Sequence, residues 1–243
     1  MNGPRMRVFA GPNGSGKSTI KTVVPASLLG HYLNPDDIEK EVTTRGYLDV
    51  RGMQISTTTD ELIAFFEQHP LIERTEHGDF AYAIKWYDKG LIGFEDVGFD
   101  AYMSAILVDF LRFRYLDTRQ SFTFETVMSS PDKVELLKTA RARGFRTYLY
   151  YVATEDPAIN LQRIEHRIRT GGHPVPPDKV VSRYYRSLDL LFDAIRQTDR
   201  AFIFDNSGIA QTWLADIAGG THLELKTNDV PSWFATSVLT KLR

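Results

Sequence analysis

The segment Gly11-Pro12-Asn13-Gly14-Ser15-Gly16-Lys17-Ser18 constrains this chain more than any other. It fits G-x-x-x-x-G-K-[S/T] at every position. It follows the short apolar run Met6 to Ala10, which reads as a buried strand, and precedes a stretch from Lys17 to Leu29 with helical spacing. Glycines let the backbone curl until successive N–H groups point at one anion, and a helix opening near Lys17 adds its positive end. Lys17 is then placed to reach β- and γ-phosphates, and Ser18 to ligate Mg²⁺.

The rest of the sequence supplies the strands and helices that such a loop needs. His31 to Leu33 reads as a second strand, ending in Asn34-Pro35-Asp36-Asp37, a helix-capping pattern. Ser121 to Glu125, Arg146 to Ala153 and Ala201 to Phe204 read as further strands. Helices are expected from Ser130-Pro131-Asp132 to Gly144, from Asp156-Pro157 to Arg169 and from Pro177 to Gln197. Strands alternating with helices predict an α/β fold with a mostly parallel sheet covered on both faces. Residues 43–117 break this rhythm and read as a mainly helical insert, with a hairpin over 79–95 as one option. The last thirty residues carry no clear pattern. The expectation is one domain spanning residues 1–243.

Composition removes whole classes. At 42% hydrophobic and 25% charged residues the chain has the usage of an ordinary globular domain. With no cysteine, disulfides, thiolate metal sites and cysteine nucleophiles are excluded. A net charge of −2 argues against a broad nucleic-acid footprint. No segment reaches the roughly 18 apolar residues of a membrane span, and the first residues lack the apolar core of a signal peptide, so a cytoplasmic location is expected.

Three clusters bear on what is done with a bound phosphate chain. Asp36-Asp37 follows the second strand, where a carboxylate could take the proton of an attacking hydroxyl. Asp36 is the preferred base, and a helix N-cap beside a solvated acid is the plain alternative for the pair. Glu125-Thr126 ends a strand, at the edge where ligands bind in parallel sheets, and a structural acid is the plain alternative. Arg163, Arg167 and Arg169 lie on a helix before Gly171-Gly172-His173-Pro174, with Arg183 and Arg186 beyond. A guanidinium on a bending segment can stabilise charge on transferring phosphoryl oxygens, although basic helix faces are often merely solvated. His166 reads as structural, while His173 could touch phosphate. Trp86 and Tyr87 could stack on a substrate ring or simply pack. Asp205-Asn206-Ser207 could lie near an adenine or form a turn.

Taken together, Gly11 to Thr19, Asn34 to Ile38, Phe124-Glu125-Thr126-Val127, the arginine-bearing helix, Gly171 to Pro176 and Asp205-Asn206-Ser207 resemble the zeta-toxin-like P-loop kinases. The resemblance covers most of residues 6–207 and is weakest over 43–117. It implies a kinase that moves the γ-phosphate of ATP·Mg²⁺ to a hydroxyl of a nucleotide sugar such as UDP-N-acetylglucosamine, and a small helical antitoxin as partner. It implies Asp36 as base and Glu125 and Thr126 as acceptor-side groups. Residues Gly11, Pro12, Asn13, Gly14, Ser15, Gly16, Lys17, Ser18 and Thr19 would hold the nucleotide, with Ser18 on Mg²⁺. Arg163 matches the first of the family's two lid arginines. The second falls near His173, with Arg169 and Arg183 as neighbours. Asn34 stands where the family has an acid. Two rival functions stay open on the residues alone: another small-molecule or nucleoside kinase, and a nucleotide-binding switch without transfer.

Overall fold

A computed structural model describes residues 3–22, 24–75, 83–87, 89–94, 98–170 and 175–242. The chain divides into two compact units, Met1–Gly30 with Thr123–Arg243, and His31–Phe122. Numbered along the whole chain, the first unit holds β1 (Arg5–Ala10), α1 (Lys17–Lys21), α2 (Ala26–Leu29), β6 (Phe122–Thr126, from its second residue), α6 (Asp132–Ala142), β7 (Arg146–Ala153), α7 (Pro157–Arg169), α8 (Pro177–Arg196), β8 (Arg200–Asp205), β9 (Thr212–Ala218), β10 (His222–Leu225) and α9 (Ser232–Ser237). The second holds β2 (His31–Leu33), α3 (Pro35–Arg45), β3 (Tyr47–Asp49), α4 (Thr59–Gln68), β4 (Ile84–Tyr87), β5 (Leu91–Phe94) and α5 (Ala101–Asp117).

Strands of the first unit run in the order β10-β9-β8-β7-β1-β6. β1 is buried from Met6 onward, as a central strand covered on both faces must be. It pairs in parallel with β7, Met6 opposite Thr147 and Ala10 opposite Tyr151, and β7 pairs in parallel with β8. The C-terminal ends of β1, β7 and β8 therefore share one edge of the sheet, the edge on which parallel sheets bind ligands. β9 and β10 continue antiparallel to β8. This is the expected α/β architecture, extended by strands in the region that carried no pattern.

Helix α8 buries Val180, Tyr184, Ser187, Leu188, Leu191, Ala194 and Ile195, a stripe at three- and four-residue spacing. Two of these are polar and both are bonded. Ser187 Oγ lies 2.9 Å from the Tyr151 hydroxyl and donates to Val127 O at 2.7 Å, while the Tyr184 hydroxyl donates to Thr154 O at 2.5 Å. Burial pushes both tyrosine hydroxyls well above their ordinary range, so both stay protonated as donors. Beside this cluster, where the Trp233 ring in α9 lies 6.2 Å from that of Tyr151, Trp233 Nε1 donates to Asp205 Oδ1 at 3.0 Å, and Asp205 also accepts from Ser207 N and Oγ.

Two local expectations are corrected. The helix expected over Lys17 to Leu29 is two short pieces, α1 and α2. Pro25 lacks an N–H and disfavours helical geometry at Val24 before it, so the helix cannot run through. The helix expected from Ser130-Pro131-Asp132, a pattern that offers Ser130 as its cap, instead has Pro131 as N-cap without a side-chain hydrogen bond.

The second unit is mainly helical, with a small antiparallel sheet in the order β3-β5-β4. The β4/β5 hairpin pairs Ile84 with Phe94 and Tyr87 with Leu91, within the span where a hairpin was one option. Residues 79–82, 88 and 95 of that span lie outside the described residues. Helix α4 opens with a capping box: Thr58 Oγ1 accepts from Glu61 N, and Glu61 Oε2 accepts from Thr58 N. Helix α5 is buried on nearly every side from Met103 to Leu116, as befits the core helix of this unit. Asn34 caps α3, and Ser104 Oγ on α5 donates to Pro35 O at 2.6 Å, fixing the first turn of α3.

Candidate functional site

The glycine-rich loop leaves β1 at Gly11, whose N–H donates to Thr126 O at 3.3 Å. That bond ties the loop to the end of β6, where Glu125 and Thr126 are both half-buried. Thr126 Oγ1 accepts from Met128 N at 3.1 Å, and Met128 sits at φ 54, left-handed geometry that is costly for a residue with a side chain. The strand end is thus bent sharply just after the two residues singled out.

Gly14 and Gly16 adopt φ 75 and 99. Gly16 is the N-cap of α1, which is only five residues long. So short a helix adds little dipole, and the loop's own N–H groups carry the anion-binding capacity. Lys17 Nζ donates to Gly11 O at 2.8 Å and to Pro12 O at 3.0 Å, folding back over the loop. Ser15 is buried, while Ser18 and Thr19 are exposed at the start of α1. The buried atoms Asn13 Oδ1 and Ser15 Oγ have no hydrogen-bond partner. Unpartnered buried polar atoms are uncommon, and here two occur within three residues of a phosphate-type loop.

Two asparagines touch the loop from outside it. Asn160 in α7 donates through Nδ2 to Asn13 O at 2.6 Å, and Asn206 after β8 donates through Nδ2 to Ser15 O at 2.8 Å. Asn206 had been read as near an adenine or in a turn; the structure puts its carboxamide on the loop. Asn160 was not singled out in the sequence. The available signal was a polar residue four positions before Ile164, on the buried stripe of α7.

The arginines separate. Arg163 lies one turn beyond Asn160 and is half-buried; its Nη2 approaches Gly208 O at 3.5 Å, and its Nη1 is buried without a partner. Arg167 and Arg169 are exposed in the last turn of α7, as is His166. Arg183 is half-buried on α8, and Arg186 is exposed with Nε on Ser182 O at 3.3 Å. His173 and its neighbours, residues 171–174, lie outside the described residues.

Asp36 and Asp37 belong to the second unit, exposed in the first turn of α3; Asp36 N donates to Asn34 Oδ1 at 2.9 Å. Trp86, also in that unit, is half-buried and its N–H donates to Thr59 Oγ1 at 3.0 Å. It lines a cavity of about 690 Å³ with Arg51, Ser56, Thr57 and Lys89. The Arg51 guanidinium holds the neighbouring Asp49 carboxyl down to about 2. Among the described residues, no group of three or more His, Asp or Glu side chains could hold a metal alone. No described helix is long and apolar enough to cross a membrane.

Comparison with known proteins gives this geometry a context. The family model described as Zeta toxin matches residues 104–217, a span that includes Glu125, Thr126, Asn160, the arginines of α7 and Asn206. A curated relative from Haemophilus influenzae, described as an uncharacterized protein, is 36% identical over 63 residues, which are 26% of this chain and 45% of that protein. The crystal structure of AvrRxo1-ORF1:-ORF2 with ATP superposes with a TM-score of 0.56 at 13% identity, over 93% of this chain and 61% of that one. The same complex with sulphate ions gives 0.52 at 14%, over 92% and 61%. This chain therefore spans about three-fifths of the length of those structures and under half of the curated relative. At such identities the superpositions show a shared fold, here a mixed α/β fold with a mostly parallel sheet.

Proposed function

We propose that this chain, zeta-toxin-like over residues 104–217, is an ATP-dependent phosphotransferase that moves a γ-phosphate to an alcohol. The observation that carries the reading is the loop Gly11 to Ser18: its glycines in left-handed geometry, its lysine resting on loop carbonyls, and buried polar atoms on Asn13 and Ser15 without partners. A triphosphate would add the attraction of opposite charges, which the Gly11 and Pro12 carbonyl dipoles do not offer the Lys17 ammonium. ATP bound to a protein of this fold is the corresponding precedent.

The residues divide the work as follows. The loop N–H groups and Lys17 hold the β- and γ-phosphates. Mg²⁺ suits the site because Ser18 offers an exposed hydroxyl at the head of α1, and this ion favours phosphate and water oxygens completed by one or two protein groups. When bound, the ion neutralises phosphate charge. Asp36 receives the proton of the acceptor hydroxyl as its oxygen bonds to the γ-phosphorus, and the bond to the ADP oxygen breaks. Glu125 and Thr126 bind the acceptor. Arg163, with Arg167, Arg169 and His173 as further lid cations, balances charge spreading over the transferred group.

The proposed acceptor is a nucleotide sugar such as UDP-N-acetylglucosamine. The zeta-toxin match supports this choice. The Trp86 cavity, with its aromatic wall, hydroxyls and cations, offers the chemistry that a base, a sugar and a phosphate would use. The proposed setting is cytoplasmic. A small helical antitoxin is the proposed partner, on the precedent of the two-component AvrRxo1 complex.

The test is transfer of label from γ-labelled ATP with Mg²⁺ to a panel of nucleotide sugars, nucleosides and simple alcohols. The expected result is a labelled phosphate ester on a nucleotide sugar, with Lys17→Ala and Asp36→Asn each slowing transfer by about 10²–10³-fold. Transfer confined to another hydroxyl class replaces the acceptor. Tight ATP binding with inorganic phosphate as the sole product replaces the kinase with a nucleotide switch.

A further inference from the structure

A phosphate loop works only if its N–H groups face the anion, and each peptide N–H is fixed by the carbonyl it shares a plane with. In a trans peptide the two point in opposite directions. The carbonyl of Asn13 therefore sets the direction of the Gly14 N–H, and the carbonyl of Ser15 sets that of the Gly16 N–H. Those are the two carbonyls held by side chains outside the loop, at 2.6 Å by Asn160 and at 2.8 Å by Asn206.

Each asparagine is itself held. Asn160 is fully buried, and its Oδ1 accepts from Thr154 Oγ1, while Thr154 O accepts from the Tyr184 hydroxyl at 2.5 Å. Asn206 N donates to Ala153 O at 2.9 Å, anchoring it to the end of β7. Both also press against the glycines whose N–H groups they direct. A Cβ on Gly14 would lie 2.6 Å from Asn160 O, and a Cβ on Gly16 would overlap the Asn206 carboxamide. A buried asparagine is an expensive choice in a helix, because its propensity is low and its amide must be desolvated. An apolar residue would serve the packing of α7 better. The two residues whose carbonyls are gripped, Asn13 and Ser15, are also the loop residues with buried side-chain oxygens lacking a partner.

We propose that Asn160 and Asn206 are positioning residues for the nucleotide's phosphate chain: they hold the Asn13 and Ser15 carbonyls outward so that the Gly14 and Gly16 N–H groups point inward. This rests on the reading of the loop as an ATP site, and it concerns binding rather than the chemical step. The clamp joins α7, which bears Arg163, to the loop directly through Asn160. It also joins α8 through Tyr184 and Thr154.

The test is calorimetric titration of the full chain with Mg·ATP and with inorganic tripolyphosphate, for the wild type, Asn206→Ala, Asn160→Ala and Asn160→Asp, each checked for folding by circular dichroism. Loss of one directing bond is expected to raise Kd for both probes by about 3- to 10-fold. Asn160→Asp adds a signature that simple destabilisation would not. Protonated, its carboxyl can still donate to Asn13 O; ionised, it cannot, so its affinity for ATP falls with rising pH beyond any change in the wild type. A folded Asn206→Ala with wild-type Kd, or a folded Asn160→Asp with the wild-type pH dependence, overturns the clamp while leaving the ATP site standing. If Asn160→Ala does not fold, those two variants decide. A wild-type chain that binds neither probe overturns the ATP reading itself, and the clamp with it.

Discussion

At Gly14 a backbone demand and a packing demand coincide. Its φ of 75 disfavours any side chain, and a Cβ would meet Asn160 O at 2.6 Å. Gly14→Ala is therefore expected to weaken ATP binding at least about tenfold, read by calorimetry, because neither the loop nor the α7 backbone at buried Asn160 can yield cheaply. Wild-type affinity in that variant would show that the loop adapts. The sequence pattern exposed the glycines, Lys17 and Ser18 because every one of them is required by local geometry. It did not expose Asn160, Thr154 or Tyr184, because their work is done through contacts between distant segments. Asn206 was visible as part of a turn, but its partner, the Ser15 carbonyl, lies 191 residues away.

Helix α7 carries both Asn160 and Arg163, so its first turn matters to the site. Asp156 caps it, Oδ1 accepting from Ala158 N at 2.7 Å, and Pro157 occupies the first helical position. Asp156→Ala is expected to cost about 0.5–2 kcal/mol of stability, measured by urea denaturation, and to weaken ATP binding in parallel. A stability loss with unchanged ATP affinity would mean that the clamp does not depend on this turn. This cap and proline were legible in the sequence, as were β1, β7 and the amphipathic α8, since each follows a local rule. The break between α1 and α2 was equally local, at Pro25, and the helical spacing of the surrounding residues masked it. β9 escaped notice for another reason. Its run Thr212–Ala218 carries Asp216, a charge that breaks the apolar pattern but is only 4% exposed. Arg200, from the adjacent strand β8, satisfies it with a bond of 2.5 Å from Nη2 and another of 2.9 Å from Nε. Only the folded pairing makes that strand reasonable.

On the scale of the whole molecule, mild acid reaches the second unit through a half-buried histidine. In the second unit, burial lowers the pKa of His31 from its ordinary 6.5, partly opposed by a hydrogen bond with Gln120. Its ring stacks on Tyr115 with centroids 4.9 Å apart. The unfolded chain then binds more protons than the folded one between the lowered value and 6.5. Stability is full above about pH 6.5 and falls as pH drops through that window. His31→Phe is expected to flatten this part of a melting-temperature profile while keeping the stack. An unchanged profile would assign the acid sensitivity elsewhere. The first unit's tyrosine donors, in contrast, keep their protons throughout this range, so the loop and its clamp should not change with mild acid. The mainly helical character of residues 43–117 was legible, whereas the compact unit His31–Phe122 depends on the α5 core and on the β3-β5-β4 sheet, whose strands are three or four residues long. Strands that short give almost no periodic signal.

The proposed reaction takes a triphosphate held by the loop and passes its last phosphoryl group to an alcohol. Phosphorus NMR of the chain incubated with ATP, Mg²⁺ and UDP-N-acetylglucosamine reads this directly. The predicted result is loss of the ATP γ-resonance matched by a new phosphomonoester signal coupled to a sugar proton, absent with Lys17→Ala. ATP left intact, or converted with inorganic phosphate as the only new signal across the full acceptor panel, would contradict it.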